Sequence, residues 1–247
     1  MNALRAAWRL GRAFGHALLG LATILFLFPR WDAQRRETRV QSWSREMLAH
    51  LGVALEVRGR PPATGPMLLA ANHISWLDIL VMHAARHCRF VSKAEVRRWP
   101  LVGTLATGAG TLYIERESRR DAMRVVHKVA ESLAHGDIVA VFPEGTTSDG
   151  RDLLPFHGNL IQAAISADAP VQPVALSFID TATREPSFTP CYIGDDTLVG
   201  SVWSMLSGPA VTAIVHYGEP QRSAGRGRRE WAHALREAVI GLRGRTS

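Results

Sequence analysis

Two hydrophobic periods alternate along this chain. Short stretches at 53–57, 67–71, 89–92, 111–114, 138–142, 171–178 and 211–217 predict strands, and the apolar runs 67–71 and 138–142 predict buried ones. Between them, apolar positions recur at helical spacing. Val125, Val126, Val129, Ala130 and Leu133 predict an amphipathic helix from about Ala122, with Gly136 placed to cap it. Residues 76–85 and 160–165 predict further helices, and Trp231, Leu235, Val239 and Leu242 mark a final one. Alternating strands and helices predict a single α/β domain, with a central mixed sheet flanked by helices. A Pro/Gly-rich break falls at 60–66, and the Gly/Arg-rich stretch 222–229 predicts an exposed linker.

The first 51 residues follow another pattern. Residues 13–28 are almost wholly apolar, interrupted by His16 and small residues, with Arg5, Arg9 and Arg12 before and Arg30, Arg35 and Arg36 after. As a helix this run covers roughly 24 Å, against a hydrocarbon core of about 30 Å. No small-residue cleavage site follows it, because Phe28-Pro29-Arg30-Trp31 is bulky and charged. Trp43, Met47, Leu48 and Leu51 then recur at helical spacing among arginines. Such a stripe suits either a helix at a membrane interface or one packed on a core. The expected division is 1–51 as membrane-associating helices and 52–247 as a catalytic domain. The segment either spans the membrane or only dips into it.

Charge and cysteine content narrow the partners. The 247 residues carry a net charge of +7, and only two of the 29 basic residues are lysine. Planar guanidinium groups bind phosphate and carboxylate oxygens in pairs. Anionic lipid, a phosphorylated ligand and nucleic acid all fit that balance, but no nucleic-acid-binding module is present. Cys88 and Cys191 lie far apart, without metal-ligand spacing, which suits a reduced compartment. No metal is expected. His83, His87, His127 and His135 form no metal-binding pattern and predict surface or core roles.

Two loops carry candidate chemistry. The first, Asn72-His73-Ile74-Ser75-Trp76-Leu77-Asp78, follows a buried strand. On one continuous helix, positions 73 and 78 would lie about 140° apart. They meet if His73 sits in the turn and Asp78 in the first helical turn, with Ser75 as N-cap. A histidine held by a carboxylate is a general base suited to activating a hydroxyl. The competing reading makes Ser75-x-x-Asp78 a capping box and nothing more. The second loop, Phe142-Pro143-Glu144-Gly145-Thr146-Thr147-Ser148, again ends a buried strand; its backbone N–H groups and hydroxyls could cradle an anion. It matches neither a P-loop nor a dinucleotide fingerprint, and no G-x-S-x-G elbow exists. His157 follows closely enough to line the same pocket.

Together the loops resemble the glycerolipid acyltransferase family that includes 1-acylglycerol-3-phosphate acyltransferases, which carries an N-H-x4-D block and a later F-P-E-G-T block. Intermediate stretches are also similar: Gly110-Thr111-Leu112-Tyr113-Ile114-Glu115-Arg116, and Lys93-Ala94-Glu95 followed by Trp99-Pro100 and Gly103. Val171-Gln172-Pro173-Val174 resembles a late fourth block, so the resemblance covers roughly residues 50–220. It implies His73 as general base, Asp78 orienting it, Lys93 and Arg116 binding acceptor phosphate, and Glu144, Gly145, Thr146 and Thr147 shaping the acceptor site. It implies no cofactor. The donor would be acyl-CoA or acyl carrier protein and the acceptor a lysophospholipid, with lysophosphatidate first. The site would face the cytoplasm at the inner membrane, among membrane lipids.

One position departs from that pattern. Family members acting on lysophosphatidate commonly have arginine after the Gly-Thr of the second block, where this chain has Thr147. Either Arg116, Lys93 or Arg151 compensates, or the acceptor is not a phosphomonoester. Threonine here is similar to relatives that acylate lyso-ornithine lipid. Readings from other classes are a lipid or thioester hydrolase and a non-catalytic protein bound to anionic membranes.

Overall fold

In the computed structural model, which describes residues 2–115, 119–194 and 196–244, seven strands form one mixed sheet. They are β1 (Val53–Arg58), β2 (Met67–Ala71), β3 (Arg89–Lys93), β4 (Leu112–Ile114), β5 (Ile138–Val141), β6 (Val171–Asp180) and β7 (Val211–Tyr217). Their order is β1-β7-β6-β2-β5-β3-β4, parallel at every pairing except β6 with β7. Each stretch read as a strand is one. β2 and β5, the most continuous, are buried at every position, as strands covered on both faces must be.

The helices are α1 (Asn2–Ala22), α2 (Ala33–Leu51), α3 (Leu77–Ala85), α4 (Val102–Gly108), α5 (Arg119–Ala134), α6 (Ile161–Ser166), α7 (Leu198–Ser207) and α8 (Arg228–Gly244). Two cores separate the layers. Leu69, Ala71, Val174 and Leu176 point toward α2 and α3. Their alternates Leu68, Ala70 and Val171 point toward α5, α6 and α8. Gly136, at φ +87°, ends α5 as expected and donates to Leu133 O at 2.8 Å. The 222–229 stretch is mostly exposed and leads into α8. α4 and α7 escape the periodic pattern, since Gly103, Gly200, Ser201, Ser204 and Ser207 dilute their apolar faces.

The amino-terminal helices pack on this sheet. The Met47–Leu48–Leu51 stripe of α2 lies in the core beneath Leu69 and Leu176, with Trp43 partly buried beside it. That stripe is therefore a core face and not a membrane-interface face. α1 continues through a π turn (Thr23–Leu27) and a 3₁₀ turn (Phe28–Arg30). The stretch Ala3–Arg30 is long and apolar enough to cross a membrane. One side of it is docked along its length: Ala6, Ala13, Ala17 and Phe28 are buried. His16, the odd polar residue of the run, bonds Trp43 O through Nε2 at 3.0 Å, while Trp43 Nε1 donates to His16 O at 3.1 Å. The other side leaves Trp8, Phe14, Leu18, Leu25 and Phe26 exposed.

His83 and His87 resolve as core residues, and His135 as a surface one. His83 stacks on His87 and meets Phe90 edge-on. Burial drives the His83 imidazole down to about 3, and burial with the nearby guanidiniums of Arg86 and Arg89 brings His87 to about 4. A buried neutral imidazole stabilises the fold only while the unfolded chain is also uncharged there. Stability present above the ordinary histidine value of about 6.5 is thus lost as pH falls toward those depressed values. Urea unfolding between roughly pH 7 and pH 4.5 should show stability falling with acid, and His83→Leu should flatten the slope by up to about 1.4 kcal/mol per pH unit.

Candidate active site

β2 and β5 are parallel neighbours with Ala70 opposite Val141. The loops that follow them therefore leave the same sheet edge side by side, at the carboxyl ends where open α/β sheets place their sites. His73 sits in the first loop, and Asp78 in the first turn of α3. Nδ1 of His73 lies 2.8 Å from Oδ2 of Asp78. A carboxylate only accepts, so Nδ1 carries the proton and Nε2 presents its lone pair.

The same Oδ2 also accepts from Ile74 N at 2.7 Å and Ser75 N at 2.9 Å. Both readings of this loop are thus present in one atom: Asp78 holds the imidazole and closes half of a capping box. The other half differs from the expectation. Ser75 Oγ accepts from Leu77 N at 3.2 Å, and the helix begins one residue later, with Trp76 at the N-cap. Trp76 packs beside the site and donates through Nε1 to Ser201 Oγ of α7 at 3.1 Å. Asp78 is fully buried, while the His73 side chain keeps 19% of its surface. An orienting carboxylate under a reachable imidazole is the geometry of a general base.

The second loop supports the first from below. The Phe142 ring stacks on the His73 imidazole, with centroids 3.9 Å apart and planes 6° from parallel. Glu144 is buried and does not perch in solvent. Its Oε1 accepts from His73 N at 2.7 Å and its Oε2 from Leu154 N at 2.9 Å. Burial raises its carboxyl above the ordinary range, against the pull of those two N–H groups. Gly145, at φ +76°, turns the chain in the left-handed region that side chains disfavour. Ser148 N then donates to His73 O at 2.9 Å, closing the second loop over the first.

The remaining sequence-selected residues surround this pair. Gly145 and Thr146 are exposed and Thr147 is half-buried. Lys93, the exposed last residue of β3, lies on the same carboxyl edge, two strands from His73. Arg116 lies outside the described residues. His157 N donates to Pro143 O at 2.8 Å, and its ring edge lies beside Gly145. Among the described residues, no three His, Cys, Asp or Glu side chains gather as a metal site.

Two supports were not singled out from sequence. Asn72 is buried, and its amide donates to Leu176 O at 3.0 Å and accepts from Leu176 N at 2.7 Å. It thus locks the loop after β2 to β6. Phe142 was read as part of a block and not as the floor of the imidazole. A polar residue directly after a buried strand hinted at the first; nothing local marks the second, because the stacking partner is 69 residues away in sequence.

Comparison with known proteins agrees with this geometry. The acyltransferase family model matches residues 54–177, which hold both loops. The chain belongs to that family of acyltransferases. It is 37% identical over 245 residues to the lyso-ornithine lipid O-acyltransferase of Pseudomonas aeruginosa, covering 97% of this chain and 93% of that one. It is 40% identical over 189 residues to the 1-acyl-sn-glycerol-3-phosphate acyltransferase of Neisseria meningitidis, covering 74% and 72%. The fold matches the crystal structure of the 1-acyl-sn-glycerophosphate acyltransferase of Thermotoga maritima with a TM-score of 0.70, at 19% identity and over 98% and 96% of the two chains.

Glu144→Ala should strand the His73 and Leu154 N–H groups, costing about 1–3 kcal/mol for each buried donor left unpaired. Thermal unfolding should show a clear drop in Tm, with a smaller drop for Glu144→Gln, which keeps one accepting oxygen.

Proposed function

We propose that this acyltransferase moves a fatty acyl chain from a thioester onto the free hydroxyl of a lysolipid, with His73 as general base. The 2.8 Å His73–Asp78 contact carries this reading. The acceptor hydroxyl gives its proton to Nε2 of His73 as its oxygen attacks the thioester carbonyl. The tetrahedral intermediate collapses, the C–S bond breaks, and the leaving thiolate takes up the proton from the imidazolium. Asp78 keeps Nδ1 protonated and stabilises the imidazolium while it exists. No acyl-enzyme and no metal enter the sequence. A hydrolase would use the same base on water; a lysolipid-independent release of thiol would identify it.

The donor is acyl-CoA or acyl carrier protein. For the acceptor, lysophosphatidate is supported by Lys93 on the site's edge and, by resemblance, by Arg116. Gly145, Thr146 and Thr147 lie where the headgroup would rest, and Glu144 shapes that region by anchoring its backbone. Lyso-ornithine lipid is supported by Thr147, a neutral side chain where a phosphomonoester would gain a bidentate arginine, and by the nearly full-length similarity to an enzyme named for that acceptor.

α1 supplies the attachment to a membrane. Its inner side is bound to α2 by Ala13, His16 and Ala17, and its outer side exposes Trp8, Phe14 and Leu18. A helix docked along its length on the catalytic fold suits a seat in one leaflet better than a perpendicular crossing. On this reading the enzyme works at a cytoplasm-facing membrane surface, where its lipid substrates are found.

His73→Ala should lower acyl transfer by at least about 10²-fold, the usual span of general-base help being 10²–10⁴. The circular dichroism spectrum should be retained. Mass spectrometry of products from a panel of lysolipids identifies the acceptor. Thr147→Arg should shift the preference toward lysophosphatidate by about tenfold or more, since a hydrogen bond to a charged group is worth about 1.5–3 kcal/mol.

A further inference from the structure

A transferase with two substrates needs recognition on two sides of its base, and one side is accounted for above by Lys93 and Thr147. On the other side, toward β6, lies a groove of about 550 Å³. That volume suits a small ligand and not a protein surface, which needs a broader contact. β6 creates the groove by outrunning its neighbour. β2 ends at Ala71, opposite Val174, while β6 runs on to Asp180, so Ser177 and Ile179 stand past the tip of β2.

The groove is joined to the catalytic loops by covalent chain. Ile74, the residue after His73, forms part of its wall, and so do Asp149, Gly150 and Arg151, which follow Ser148. Tyr192 N donates to Ile74 O at 3.1 Å, tying the far bank to the same loop. Four arginines line the groove (Arg151, Arg184, Arg236 and Arg243) against two aspartates, Asp149 and Asp152. Arg236 donates to the carbonyls of Leu153 and Leu154 at 2.6 and 3.1 Å, and Arg243 donates to Gly150 O, so α8 staples the loop in place. Arg184 is tied to Glu56 at 3.0 Å but remains half exposed. Arg151 is 68% exposed, 3.7 Å from Asp149, and lies over the Phe188 ring at 4.7 Å. Phe188 is itself 44% exposed. A guanidinium and an aromatic face at one rim offer both a phosphate ligand and a stacking surface.

The lining chemistry then selects the ligand. α8 packs on the sheet face opposite α2 and α3, and α1 with its lipid-directed side chains packs on α2. Ile74 and Phe178 of the groove wall lie in the same core as Ala6, Ala13 and Ala17 of α1, so the groove sits at the carboxyl edge of the sheet between the helix layers. Its arginines and the exposed Phe188 ring favour a phosphorylated ligand that also carries a ring to stack, which a lysolipid headgroup lacks. Resting on the acyl-transfer reading above, we infer that this groove binds the phosphorylated nucleotide end of an acyl-CoA donor, with Arg151 and Phe188 as its exposed contacts. The thioester is then presented to His73 past Ile74. The acceptor lipid enters from the Lys93 side.

The test compares acyl-CoA with S-acyl-pantetheine, which keeps the thioester and lacks the nucleotide and its phosphates. Full-length protein in detergent, with a lysolipid acceptor it acylates, should prefer acyl-CoA. The Arg151→Ala/Phe188→Ala variant should lower the ratio of kcat/KM for acyl-CoA to that for acyl-pantetheine at least tenfold, mainly through KM for acyl-CoA. Free CoA should inhibit the variant correspondingly less. An unchanged ratio overturns the inference. So does a raised KM for the lysolipid with the donor KM unchanged, which would make the groove an acceptor site. Turnover with acyl carrier protein but not with acyl-CoA overturns it too. Failure of the wild-type protein to acylate any lysolipid with any of these donors would instead defeat the acyl-transfer reading beneath it.

Discussion

A single carboxylate oxygen organises this molecule's working edge. Oδ2 of Asp78 takes hydrogen bonds from Ile74 N, Ser75 N and the His73 ring, all within 2.9 Å. Two of those donors set the path of the loop and the third sets the imidazole. Loop shape and ring orientation are therefore coupled, and a buried charge is tolerated because three N–H groups meet it. Among the described residues the other oxygen, Oδ1, is buried and finds no hydrogen-bond partner, so Oδ2 takes all three.

The second loop repeats the device with a different carboxylate. Glu144 holds the backbone of His73 and of Leu154, so it joins three segments: the loop after β2, the loop after β5 and the stretch that α8 staples through Arg236. Phe142 adds a flat floor under the imidazole. A base held by charge at one nitrogen, by stacking on its face and by its backbone N–H has little freedom left. Such preorganisation is what the proposed role as general base calls for. Around it, α1 carries exposed apolar side chains and α8 borders an arginine-rich groove.

Much of this was legible in one dimension. All seven strands were visible in the sequence, β2 and β5 most plainly, because strands buried on both faces need side chains that are apolar without interruption. The α5 and α8 stripes showed because each helix buries one side. The His73/Asp78 pair was legible because a strand–turn–helix reading lets positions five apart meet, and because the two loops together resemble the blocks of one family. α4 and α7 were not legible, since small residues where helices pack closely weaken the periodic signal. The α2 stripe could be read as lipid-facing or core-facing, and only the placement of β2 and β6 beneath it decided for the core.

Local sequence thus determined the strands, the long helices and the chemistry of both loops, because each depends on residues within a few positions of one another. Tertiary structure alone decided the rest. Glu144, which directly follows a strand in sequence, is a buried anchor because partner N–H groups arrive from positions 73 and 154. Phe142 became a stacking surface through the pairing of β2 with β5. Arg151, Arg184, Arg236 and Arg243 became one groove only when β6 outran β2 and α8 returned across it. Contacts between distant segments follow from strand order and register, and those are set by how the whole apolar surface is buried at once.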